Sequence, residues 1–104
     1  MEFEQKRELL LKRIELRSSS GMNWKADAAE DSYSAALGSK YLVRVAWPQN
    51  TASLIIFDEA GRELFIYTEG EDDPNIGVMA IWRTARRIAL GLDNALDDLL
   101  RDLE

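Results

Sequence analysis

The stretch Ser53-Leu54-Ile55-Ile56-Phe57-Asp58-Glu59-Ala60-Gly61-Arg62-Glu63-Leu64-Phe65-Ile66-Tyr67-Thr68 decides how this chain folds. Leu54 to Phe57 is continuously apolar, as in a strand buried on both faces. Asp58 then offers a short acceptor at the first corner of a type I turn, and Gly61 stands where a left-handed residue closes a bulged hairpin. Leu64 to Thr68 returns as a second strand. The two are therefore antiparallel neighbours.

Working back from there, Tyr41, Val43, Val45 and Trp47 alternate with Leu42, Arg44 and Ala46, the period of a strand with two unlike faces. Pro48 has no N–H for a ladder and ends that strand. Gly38-Ser39 reads as a two-residue hairpin connection to a strand carrying Tyr33, Ala35 and Leu37. Beyond a turn at residues 28–31, Met22, Trp24 and Ala26 alternate with Asn23, Lys25 and Asp27 as one more short strand. The expectation is an antiparallel meander of four or five strands.

Both ends of the chain switch to helical spacing. From Phe3 to Arg17, the residues Phe3, Leu10 and Ile14 fall near one stripe with Leu11 beside it. Acids at the start and bases toward the end suit the helix dipole. Ser18-Ser19-Ser20-Gly21 stops this helix. After a polar linker from Glu69 to Asn75, with Pro74 at the helix entry, Val78, Ile81, Trp82, Ala85, Ile88 and Ala89 form a second stripe. Gly91 interrupts it, and Asp93 can cap a further segment with Leu96, Leu99, Leu100 and Leu103 on one side. The C-terminal end is thus one broken helix or two. The fold class is α+β, in a single domain over residues 1–104.

The chain has 104 residues and a formal charge of −6, from 13 Lys and Arg against 19 Asp and Glu, with no His and no Cys. Imidazole bases, thiolate nucleophiles, disulfides and the common zinc ligand sets are excluded. No Ser-x-x-Lys or Gly-x-Ser-x-Gly motif accompanies the serines. The expectation is a protein without catalytic activity, cofactor or bound metal. No apolar run reaches the roughly 20 residues that span a bilayer. The first residues do not read as a secretory signal, so a cytoplasmic location is expected. Residues 48–77 hold seven acids against one base, Arg62, which accounts for the whole excess of −6.

That excess ends in Glu69, Glu71, Asp72 and Asp73, the candidate surface for a basic protein partner. The spacing lacks the glycine and closing glutamate of a calcium loop, and a solvated linker is the plainer reading. Asp93, Asp97, Asp98 and Asp102 form rows four residues apart that suit a solvated helix face. A rival reading uses the strand aromatics Tyr33, Tyr41, Trp47, Phe57 and Tyr67 as a stacking platform for single-stranded nucleic acid. It requires Arg44, Arg83, Arg86 and Arg87 to make one positive surface. Aromatics on strands serve a core equally well, and the net charge opposes phosphate.

Leu9, Leu16, Leu42, Ile55, Ile76 and Leu92 lie off the main stripes, leaving more apolar surface than one sheet face absorbs. Either helices cover both faces, or one face is open and a partner covers it, most simply a second copy in a symmetric dimer. Trp24, the run Phe57-Asp58-Glu59-Ala60-Gly61-Arg62-Glu63 and the run Ala85-Arg86-Arg87-Ile88-Ala89-Leu90-Gly91-Leu92-Asp93-Asn94-Ala95-Leu96 give the chain a shape that resembles small uncharacterised bacterial or phage proteins built as helix, β-meander and helical end. The resemblance spans most of the chain and implies no activity. The function expected from these features is binding of another, basic protein, in an immunity-type or inhibitor-type role.

Overall fold

The computed structural model describes residues 1–72 and 77–104. Helix α1 (Phe3–Arg17) precedes strands β1 (Lys25–Ala26), β2 (Ser32–Leu37), β3 (Tyr41–Ala46), β4 (Thr51–Phe57) and β5 (Glu63–Gly70). Helices α2 (Val78–Ala89) and α3 (Leu92–Asp102) follow. The strands form one sheet in the order β1-β2-β3-β4-β5, each antiparallel to its neighbours. The α+β meander is the architecture that the alternating runs imply.

The turn at Asp58 works as local chemistry dictates. Its carboxylate accepts the backbone N–H groups of Ala60 and Arg62, both at 2.9 Å, and Arg62 Nε at 2.8 Å. Gly61 sits at φ 81°, where a side chain would be strained. The register passes from Ile56 opposite Phe65 to Phe57 opposite Glu63, so Leu64 is the extra residue of a bulge. The β2–β3 hairpin differs in detail. Leu37 pairs with Tyr41, so three residues connect the strands, with Gly38 at φ 63°. β1 is also shorter than its alternation suggests. Met22 and Trp24 are buried in the loop before it, and the Trp24 indole N–H donates to the Ser18 carbonyl at 3.0 Å.

One face of the sheet carries the core. Tyr33, Ala35, Val43, Val45, Ala52, Leu54 and Ile56 are buried there beneath Leu11 and Ile14 of α1 and Val78, Ile81 and Ala85 of α2. The rings of Trp82, Trp47 and Tyr33 pack edge to face at one end of this layer. Trp82 also donates its indole N–H to the Asp31 carbonyl at 2.9 Å. α1 is tied to β5 by side chains: Arg7 donates to the Ile66 carbonyl at 2.7 Å and Tyr67 O–H donates to the Arg7 carbonyl at 2.7 Å.

Both α1 and α2 lie on the same side, so among the described residues no helix covers the opposite face. The reading of Leu54 to Phe57 as doubly buried is corrected accordingly. Leu54 and Ile56 are buried, whereas Ile55 and Phe57 are half-buried on the uncovered side. Arg44 lies over the Phe57 ring at 5.1 Å and pairs with Asp27, whose carboxylate also accepts from Ser32 and Ser34. This network closes much of the polar surface of that face on itself.

The C-terminal end is two helices. Gly91 at φ 62° separates them, and Asp93 falls inside the first turn of α3 rather than at its cap. α3 touches α2 and no other element. The Cα radius of gyration is 14.9 Å, against about 13 Å for a compact chain of this length. The longest axis is 55 Å.

Candidate protein-binding surface

The acids chosen from the sequence do not gather into one surface. Glu69 belongs to β5, is 3 % exposed, and its Oε1 accepts the backbone N–H of Met79 at 2.8 Å. It caps the start of α2, whose own N-cap, Gly77, has no side chain for the task. Glu69 is therefore withdrawn from the partner-facing set. The linker expected to begin at Glu69 starts after Gly70. Glu71 and Asp72 are exposed beside Asn50, whose carbonyl accepts the Glu71 N–H at 3.0 Å. Asp73, Pro74, Asn75 and Ile76 lie outside the described residues.

Asp58, Glu59 and Glu63 stand at the other end of the β4–β5 hairpin, a strand length of roughly 20 Å away. Adjacency in sequence becomes separation in space because the hairpin reverses the chain between them. Hydrogen bonds from the Arg62 backbone, and then its guanidinium, hold the Asp58 carboxyl below its ordinary value of 3.8. That acid is engaged within its own turn.

The four arginines also divide. Arg44 is on the uncovered sheet face, while Arg83, Arg86 and Arg87 are on α2, which packs on the opposite face. Arg83 lies over Trp47 at 5.2 Å, and Arg87 stands 3.9 Å from Asp93. The single positive surface required for nucleic acid does not form. Nor do the aromatics make a platform, because Tyr33 and Tyr67 are core residues and Trp47 packs under Trp82. Tyr41 is exposed, alone of the five.

What the fold does expose is α3. It has no buried residue over its 11 positions. Leu96, Leu99, Leu100 and Leu103 are 58, 57, 64 and 83 % exposed. Their spacing puts them on one stripe about a third of the helix circumference wide. Asp93 and Asp97 flank it on one side and Asp102 on the other, while Asp98 lies on the far side of the helix. Arg101, the single base of the helix, is turned away from the stripe and paired with Asp98. Seating such a stripe against apolar groups is worth roughly 4–8 kcal/mol before the costs of association. A helix this apolar on one side is normally found against a partner surface.

The leucine spacing was visible in the sequence, but its exposure was not. It reads like any core-facing stripe, and the missing signal was that α1 and α2 already fill the one covered face. Among the described residues no three acidic side chains converge to hold a metal ion, and no helix is long and apolar enough to cross a membrane. No family model matches the chain, and no curated protein or solved structure matches it either.

Proposed function

We propose that this chain is a non-catalytic protein-binding module, of the immunity or inhibitor type, that recognises a basic partner through α3. The observation that carries the reading is the unburied leucine stripe of α3 with aspartates along both margins. The leucines supply apolar contact area. The aspartates favour a partner whose apolar seam is bordered by Lys or Arg, and they speed its approach. Glu71 and Asp72 add to the negative field at a distance, so the acidic surface belongs chiefly to the last helix.

Two synthetic amphipathic peptides with the same leucine seam, one bordered by lysine and one by glutamate, test this reading. The lysine peptide is expected to shift amide resonances of residues 92–102, with affinity falling as salt rises. The glutamate peptide is expected to leave them in place. Equal binding of both peptides, or resonance changes confined to the sheet, would defeat the proposal.

A further inference from the structure

The chain also carries a groove shaped and charged to receive its own last helix. Between α1 and the hairpin end of the sheet lies an apolar hollow of 450 Å³ lined by Leu10, Leu37, Tyr41, Ile56, Leu64 and Phe65. A smaller hollow of 230 Å³ shares Leu10 and Leu37 with it and continues along α1 past Ile14 and Met22. The charged residues lining the two hollows are Arg13 and Arg17, with no carboxylate among them. Lys40, in the turn after Gly38, lines a neighbouring hollow with Asp58 and Glu59 and not this one. The groove is thus apolar along its floor and basic where it runs along the end of α1, on a molecule whose net charge is −6. α3 has the opposite pattern, with Asp93, Asp97 and Asp102 beside its leucines and its one base, Arg101, turned away and paired with Asp98.

We infer that α3 of one copy docks in the α1–sheet groove of a second copy, and that the exchange is reciprocal. The inference rests on α3 being the docking element, and it names a second copy as an occupant of that surface. Pairing α3 with α3 is disfavoured, because it would set aspartate margins against each other. Seating α3 in the groove sets them against Arg13 and Arg17. Half of the cylinder of an 11-residue helix, about 5 Å in radius and roughly 16 Å long, has an area of about 260 Å². Each copy contributes one helix and one groove, so two reciprocal contacts bury on the order of 1,000 Å², the size at which an interface becomes specific. Reciprocity matters, since a one-way contact of this kind propagates into an open chain.

Sedimentation equilibrium of the full chain between micromolar and millimolar concentration tests the exchange. The wild type is expected at twice its 11.8 kDa mass. Leu99→Glu with Leu100→Glu spoils the helix, and Arg13→Glu with Arg17→Glu spoils the groove rim. Each double variant alone is expected to associate at least tenfold more weakly. A mixture of the two restores one of the two contacts, the intact helix of one copy in the intact groove of the other, and is expected to pair more tightly than either variant alone and more weakly than the wild type. If Arg17→Glu disturbs the end of α1 by circular dichroism, Arg13→Glu alone replaces it.

A wild type that stays monomeric overturns the inference, whether or not α3 folds back onto its own groove. So does a pair that survives the rim variant and is lost with the helix variant, which marks α3 against α3. A pair indifferent to both variants marks the uncovered sheet face instead and also refutes the exchange. A ladder of growing species refutes its closed form. Titrating the monomeric rim variant with the lysine-bordered peptide separates this outcome from the wider reading. Shifts in α3 there keep the binding function even if the exchange fails, and their absence removes the function as well.

Discussion

Glu69→Ala is expected to unfold the protein more readily rather than to weaken a partner contact. In the folded chain the Glu69 carboxylate reaches 2.8 Å from the Met79 N–H, at a position 3 % exposed. Truncation to alanine leaves that N–H at the start of α2 without this acceptor in a region closed to water. Loss of an N-terminal cap costs about 0.5–2 kcal/mol, and an unsatisfied buried donor about 1–3 kcal/mol. These describe the same lost bond and do not add, so about 2 kcal/mol is expected. With a urea dependence of about 1–2 kcal/mol per molar, the unfolding midpoint falls by roughly 1–2 M. The melting temperature falls by roughly 10 °C. Glu69→Gln keeps an acceptor oxygen and should lose less than half as much. Glu71→Ala, two residues on and exposed, should leave the midpoint within about 0.3 M. A Glu69→Ala midpoint indistinguishable from wild type would refute the capping role and return Glu69 to the surface.

Three further outcomes are expected. Trp24→Phe loses the indole bond to the Ser18 carbonyl at 3.0 Å and part of the ring volume from a buried site, and urea titration should show a loss of about 2–3 kcal/mol. Burial raises the Tyr67 phenol above its ordinary 10.0, with Arg7 opposing; stability is therefore full below pH 10 and declines as pH rises through the folded value, and Tyr67→Phe should abolish that decline in alkaline melts. Asp58 has a lowered folded value, so its contribution is complete above 3.8 and disappears as pH falls through that lower value; Asp58→Ala should flatten the acid limb of the stability profile and speed amide exchange at Ala60 and Arg62, whereas an unchanged limb would assign the acid sensitivity to other carboxylates.

The features legible in the sequence are those decided by neighbours within a few residues. Asp58 and Gly61 specify their turn because the carboxylate reaches backbone N–H groups two and four residues on, and glycine accepts the left-handed backbone that closes it. Gly91 separates two helices for the same kind of reason. The strict alternation of Tyr41 to Trp47 marks a strand with unlike faces wherever that strand ends up. From such signals alone the helix, the meander and the helical end follow, as do the absence of imidazole and thiol chemistry and the acidic balance.

What the sequence left undecided was which surfaces meet. Whether Ile55 and Phe57 are covered depends on where the ends of the chain pass over the sheet, and α1 and α2 pass over the same side. Glu69 reads as one acid among four, yet the length and register of β5 carry it beneath the start of α2, ten residues later in the chain. The leucines of α3 have the spacing of a core helix and none of its burial, because the covered face was already full. The surface available to a partner is what remains after the long-range contacts are made, and local spacing carries no record of which contacts those are.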